Sequence, residues 1–96
     1  MTDFATAIDR LLNQVRHWEQ PRWRSHAEAA RDLVQLLADL AADAEGRARR
    51  PVPHEHALIL PDQIRVLADD LLAADPPPQA LAEATAAVGT FRASLA

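Results

Sequence analysis

The sequence predicts an all-α fold, a small four-helix bundle, and three observations support this prediction. About half of the 96 residues are apolar but only four are aromatic, so the core must consist of Leu, Ile, Val and Ala, a composition that favours helices. No stretch alternates apolar and polar residues over the length of a strand. Apolar residues instead recur at helical spacing in four segments. We expect a single helical domain over residues 1–96.

The first helix is predicted over residues 3–17, with Asp3 as its N-cap. Pro21 lies shortly beyond it, where a proline stops a helix or restarts one. The apolar positions fall on one face of this helix and comprise Phe4, Ile8, Leu11, Leu12, Val15 and Trp18.

The second helix is predicted over residues 25–45 and carries the clearest signals at its two ends. Ser25 and Glu28 have the spacing at which a hydroxyl and a carboxylate each cap a free N–H of the first turn. Gly46 supplies the left-handed residue that ends a helix. Its apolar stripe is wide enough for the central helix of a bundle and comprises Ala30, Leu33, Val34, Leu36, Leu37, Leu40, Ala41 and Ala44.

The third and fourth helices are predicted over residues 61–75 and 76–95. Pro61 suits a first helical turn, and Asp75 is expected to cap the fourth helix. The third helix carries the apolar residues Ile64, Leu67, Ala68, Leu71 and Leu72. The fourth has a narrow, coiled-coil-like seam of Leu81, Ala84, Val88, Phe91 and Leu95.

A long loop, residues 47–60, separates the second and third helices. It exceeds the roughly 2–8 residues usual between bundle helices, and we expect its polar part to be mobile. A loop of this length can reach either end of the second helix. The sequence therefore leaves the direction of the third helix open.

Composition limits the classes of function. The net charge is −4, with ten arginines and no lysine, so no overall positive field attracts the chain to nucleic acid or acidic lipid. Cysteine is absent, which excludes disulfides, thiolate metal sites and thiol nucleophiles. No segment reaches the roughly 18 apolar residues of a membrane span. Arginine in place of lysine, with abundant Ala and Pro, is typical of a GC-rich bacterial genome, and we expect a cytoplasmic protein without a membrane partner.

Residues 16–26 are the densest chemical cluster in the chain. They contain both tryptophans, three arginines and two histidines around Pro21. Trp and Arg are typical anchors of protein interfaces, and an arginine beside an indole gains cation–π energy. The cluster therefore predicts partner-binding residues, and the alternative is that both indoles serve the core. The candidates are Trp18, Arg22, Trp23 and Arg24.

A second candidate surface lies on the fourth helix. Small residues recur there at steps of four, three and four, and small residues let helix backbones approach closely. The stripe predicts pairing with a second copy of the chain, which would give a homodimer, or with another protein. Compositional bias towards alanine is the alternative explanation. Its members are Ala82, Ala86, Gly89 and Ala93.

Histidines offer the only candidate metal ligands of the nitrogen type. His54 and His56 flank Glu55, but a site would also need distant ligands such as His17 or His26. The spacings of di-iron bundles and zinc hydrolases are missing. We therefore predict no metal site, no cofactor and no catalytic residues.

The prediction for function is a small helical protein-interaction or regulatory module that is not an enzyme, with another protein or a second copy as partner. The first alternative is a metal- or small-ligand-binding domain that uses the four histidines. The second is a weak nucleic-acid-binding regulator that uses the basic run Arg47, Arg49 and Arg50, although no basic recognition helix follows that run.

Overall fold

Helices joined by irregular segments make up residues 3–95, the part of the chain that the computed structural model describes. In chain order they are α1 (Asp3–Val15), α2 (Gln20–Ser25), α3 (Ala27–Ala44), a 3-10 turn (Ala57–Ile59), α4 (Leu60–Ala73) and α5 (Pro78–Ala93). No strand occurs between residues 3 and 95, and the all-α prediction is confirmed. The predicted domain also includes residues 1, 2 and 96, which lie outside the described residues.

The apolar face predicted for α1 points into the core. Phe4, Ile8, Leu11 and Val15 are all buried. The helix ends at Val15, two residues earlier than predicted, because the chain turns there and the backbone N–H of Trp18 donates to the carbonyl oxygen of Val15 at 2.9 Å. That turn directs the chain towards α2.

Pro21 restarts the chain as the short helix α2, and the predicted Ser25–Glu28 cap is wrong. Ser25 is the last residue of α2, and its hydroxyl donates to the carbonyl oxygen of Pro21 at 3.1 Å. A serine within a helix often bonds the carbonyl four residues earlier, so its hydroxyl is not available to cap the next helix. The helix α3 begins at Ala27, after His26, whose side chain makes no capping hydrogen bond.

The predicted end of α3 at Gly46 is confirmed. Gly46 has a φ of 68°, the left-handed conformation in which glycine carries no steric penalty. The N–H of Arg47 donates to the carbonyl of Ala42 at 2.8 Å, and the N–H of Gly46 donates to that of Asp43 at 3.2 Å. This pair of bonds is the Schellman motif, which satisfies carbonyls that the end of the helix leaves free.

The crossover after α3 folds back along that helix, and we call residues 47–56 the strap. Gln35 on α3 holds its middle: the side-chain oxygen accepts from the N–H of Val52 at 2.8 Å, and the amide nitrogen donates to the carbonyl of Arg50 at 3.0 Å. We expected a mobile polar loop, whereas the structure shows a segment that hydrogen bonds hold against α3. The α3 side chains that hold the strap recur every four residues and are Arg31, Gln35, Asp39 and Asp43.

The two ends of the strap contact the first and last of these α3 side chains, Arg31 and Asp43. Arg49 forms an ion pair with Asp43 at 2.6 Å near the carboxyl end of α3. Arg31 donates to the carbonyl oxygen of Glu55 at 3.0 Å near its amino end. The strap thus runs antiparallel to α3 and delivers the chain to the start of that helix.

The strap determines the direction of α4, which the sequence left open. The 3-10 turn that follows it contacts α2, so α4 starts beside the amino end of α3 and runs parallel to it. The helix α5 runs the opposite way, since its first turns lie beside Leu40 and Ala44 while Phe91 lies beside Leu33 and Leu36. Arg92 of α5 donates to Gln14 near the carboxyl end of α1, so these two helices run parallel as well.

The connection between α4 and α5 corrects a second predicted cap. Pro61 lies in the first turn of α4, as predicted. Asp75 does not cap α5: it has a φ of 51°, and its N–H donates to the carbonyl of Leu72 at 3.3 Å, so it ends α4 instead. Short polar residues tolerate this left-handed conformation better than other non-glycine residues. The residue before α5 is Pro77, which offers no side-chain cap.

The long helices enclose one apolar core. Both α1 and α3 contact α4 and α5, an arrangement compatible with the predicted four-helix bundle, to which α2 is added at one end. No polar side chain is buried among residues 3–95. The described helices include none that is both long and apolar enough to span a membrane. The largest fully buried side chains are Trp23, Phe4, Ile8, Leu11, Leu37, Leu60, Ile64 and Leu71.

Candidate functional site

The corner between α1 and α2 places both tryptophans together. Trp23 is 1% exposed and belongs to the core. Trp18 is half-buried and packs edge-on against it, with ring centroids 4.9 Å apart and planes at 62°. Aromatic pairs favour such edge-to-face geometry. Trp23 was predicted as a partner-binding residue, and this is corrected: it has no accessible face to offer, and it supports Trp18 from below.

Trp18 also contacts a histidine from the start of α3. The ring of His26 lies 5.0 Å from the indole, tilted by 32°. The indole is thus fixed by two rings, Trp23 and His26, that belong to different segments. A side chain held in this way loses little further freedom when a partner contacts its remaining surface.

The guanidinium of Arg22 lies over this indole, with Cζ 4.7 Å from the ring centroid. Glu19 stands three residues earlier, at a spacing suited to ion pairing on a helix. Arg22 nevertheless forms no ion pair with any of residues 3–95. Its charge is stabilised by the indole face, and its N–H donors remain available.

Trp18 and Arg22 line an open groove with a volume of about 440 Å³. Pro21 and Gln14 line the same groove. The lining residues are Gln14, His17, Trp18, Glu19, Pro21 and Arg22.

Two further arginines are close in sequence to the residues that line the groove, although they do not line it themselves. Arg24 is exposed and forms no ion pair within residues 3–95. Arg16 donates to the ring nitrogen Nε2 of His17 at 3.2 Å and is likewise not paired with a carboxylate. The corner therefore concentrates positive charge in a chain whose net charge is −4.

The small-residue stripe of α5 lies on the surface. Its four members, Ala82, Ala86, Gly89 and Ala93, are exposed. Apart from the chain neighbours of Gly89 and the nearby backbone of its own helix, no described atom lies within 4 Å of the position that a Cβ on Gly89 would occupy, so packing within the described chain does not require glycine there. Self-association through this stripe stays a prediction. Light scattering that shows a monomer well above micromolar concentration would exclude the homodimer.

The four histidines do not converge. His26 stacks on Trp18, while His56 caps the 3-10 turn by accepting from the N–H of Leu58 at 3.2 Å and also contacts Gln20 at 2.9 Å. His54 lies on the strap, away from His17 at the corner. Within residues 3–95, no three His, Asp or Glu side chains stand close enough to hold one metal ion. The histidine-based alternative therefore gains no support from the geometry.

The basic run at the end of α3 is largely occupied by ion pairs. Arg47 pairs with Glu45, and Arg49 pairs with Asp43. The hydrogen bond from Arg49 lowers the pKa of the Asp43 carboxyl, and the same bond raises the pKa of the Arg49 guanidinium. Arginines already paired with carboxylates are poor phosphate ligands, so the nucleic-acid alternative also gains no support here.

Three exposed apolar side chains were not recognised from the sequence. Leu58, Ile59 and Val66 are the large apolar side chains that stand out as exposed among residues 3–95, with Val66 at 56%. The signal was available, because Val66 falls outside the stripe of Ile64, Ala68 and Leu71 that α4 buries. Isolated exposed apolar residues are common on protein surfaces, so we assign these three side chains no role.

These features define a class of protein: a small helical domain that has an aromatic, positively charged corner. Comparison with known proteins adds no narrower identity. No family model matches the chain, and no significant match was found among curated proteins or among solved structures.

Proposed function

We propose that this chain is a small protein-interaction module, without enzymatic activity, that docks a partner at the corner formed by Trp18, Arg22 and Arg24. The single observation that carries the proposal is Arg22, which lies 4.7 Å above the Trp18 ring and forms no ion pair within residues 3–95. Trp and Arg dominate the energetically important positions of protein interfaces. Here the two form one accessible unit.

The packing beneath this unit supports the same proposal. Trp23 fills the core under Trp18, so the indole is presented on a rigid base. Binding costs less when the contacting side chains are ordered beforehand. A corner built only to close the bundle needs the buried indole of Trp23, but it has no need of an arginine on the outer face of Trp18.

Capture of partners from a lysate of the source cells tests the proposal. The bait is the tagged chain, compared with the double variant Arg22→Gln, Arg24→Gln and with the control Arg50→Gln. Arg50 is exposed and lies on the strap, outside the corner, and its side chain forms no ion pair within residues 3–95. We expect the wild type and the control to recover the same partner and the double variant to lose it.

The circular dichroism spectra of the three baits must agree. Loss of the partner is then caused by the changed surface and not by unfolding of the variant. Recovery of an identical set of proteins by all three baits would refute docking at the corner. Recovery of nothing beyond the chain itself would refute the interaction module as a whole.

A further inference from the structure

We infer that the groove at the corner recognises a carboxylate-bearing peptide segment, in which an Asp or Glu side chain is followed or preceded by an apolar one. The inference rests on the proposed function and specifies the chemistry of the partner. Its basis is the pairing, within one groove of about 440 Å³, of an indole surface with a guanidinium that forms no ion pair within residues 3–95.

The guanidinium supplies the polar half of the recognition. Arg22 presents planar N–H donors that match the two oxygens of a carboxylate. Because the Trp18 face covers one side of the guanidinium, the position of the group is restricted while its edge stays free. The apolar half consists of the remaining indole surface and Pro21, against which a neighbouring aliphatic side chain can pack.

The charge balance of the groove favours one carboxylate over a phosphate group. Arg22 is the only arginine among the residues that line the groove, and Glu19 also lines it. A phosphate carries close to two negative charges and is usually bound by several cations or backbone N–H groups. The lining thus contains one positive and one negative side chain, Arg22 and Glu19. Glu19 would repel a phosphate dianion more strongly than it would repel a single carboxylate.

Two arginines outside the groove favour further acidic residues in the bound peptide. Arg16 and Arg24 are close to the lining residues in sequence and carry no carboxylate partner within residues 3–95. Charges of this kind accelerate encounter with an acidic partner and raise specificity. A segment with more than one acidic residue would therefore bind better than a segment with one.

Selection from a random peptide library displayed on phage tests the inference without assuming a sequence. The immobilised wild-type chain is the target, and the Arg22→Gln chain is used for counter-selection. We expect enriched peptides to carry Asp or Glu next to an apolar residue. Synthetic versions are then titrated by fluorescence, since Trp18 and Trp23 are the only tryptophans of the chain and both lie at the corner.

In these titrations we expect Arg22→Gln to weaken binding fivefold or more and Arg50→Gln to leave it unchanged. Replacement of the acidic residues of the peptide by Asn or Gln should weaken binding to the wild type to the same extent. Stronger competition by inorganic phosphate or by single-stranded DNA than by the acidic peptide would overturn the inference.

Failure of the inference differs visibly from failure of the proposed function. Peptides that lack acidic residues, yet bind the corner and are lost in Arg22→Gln, would overturn the carboxylate chemistry and leave the interaction module intact. Selection that yields no peptide dependent on Arg22 would overturn the inference, and the lysate capture would then decide the proposed function independently.

Discussion

Replacement of Gln35 by Met should release the strap from α3, and its effect can be worked out from the structure. Methionine keeps the length of the side chain but removes the acceptor for the N–H of Val52, at 2.8 Å, and the donor to the carbonyl of Arg50, at 3.0 Å. It also removes the donor to Oδ1 of Asp39, at 2.9 Å. Each hydrogen bond contributes about 1 kcal/mol net, and a partly buried N–H left without an acceptor costs about 1–3 kcal/mol. We therefore expect the free energy of unfolding to fall by about 2–3 kcal/mol. For a domain of this size each 1 kcal/mol shifts Tm by about 4–8 °C.

Two measurements separate a released strap from general destabilisation. Urea titration gives the free energy of unfolding, and trypsin cleavage after Arg47 and Arg49 under native conditions reports local opening of the strap. Gln79→Met is the matched control, since Gln79 is an exposed glutamine near the start of α5. If Gln35→Met and Gln79→Met give the same urea midpoint and the same cleavage rate, the strap is not held by Gln35 and the reasoning fails.

Three further predictions follow from buried, exposed and charged positions. Trp23→Ala should lower the free energy of unfolding by about 3–5 kcal/mol and Trp18→Ala by clearly less, because only Trp23 is fully buried; equal losses in urea titration would contradict this. Gly89→Ala should raise it by about 0.5–1 kcal/mol, since nothing lies within 4 Å of the added Cβ; a lower Tm would indicate that another chain packs there in solution. The pKa of Asp43 is lowered in the folded state by its hydrogen bond from Arg49, so the stabilisation from this pair is present above the unfolded-state pKa and is lost as the pH falls through the folded-state pKa. Arg49→Gln should therefore lose less stability than the wild type between neutral and strongly acidic pH, and equal acid-induced shifts of the urea midpoint would oppose the assignment.

The features that the sequence predicted correctly are those encoded locally. The buried face of α1 follows from the spacing of Phe4, Ile8, Leu11 and Val15, and the end of α3 follows from Gly46. In each case, side chains within one or two helical turns determine the outcome.

The two incorrect caps had competing local solutions of similar energy. The hydroxyl of Ser25 can accept from an N–H later in the chain or donate to a carbonyl earlier in the chain. Because Ser25 lies within the short helix α2, it donates to the carbonyl of Pro21. Asp75 suits an N-cap and also tolerates the left-handed conformation, which ends α4. Periodicity does not distinguish these choices because both keep the same apolar residues inside.

The candidate site was found in part because its residues are close in sequence. Trp18 and Arg22 are four residues apart, a spacing that brings side chains together on a helix, although here a turn intervenes. The burial of Trp23 depends on contacts of α2 with α3 and with the 3-10 turn, which are distant in sequence. For the same reason the role of Gln35 in holding Val52, seventeen residues away, could not be predicted.

The number of residues in the strap determines which way the second half of the chain runs. The eighteen residues of α3 have a length of about 27 Å, and the ten strap residues reach about 33 Å when fully extended. Deletion of two residues leaves barely enough chain to return to the amino end of α3, and deletion of four leaves too little. A strap shortened by four residues would force α4 to start at the carboxyl end of α3 and run antiparallel to it. Insertions that leave Arg50 and Val52 bonded to Gln35 should be tolerated, because doubling the length of a loop costs only about 0.6 kcal/mol.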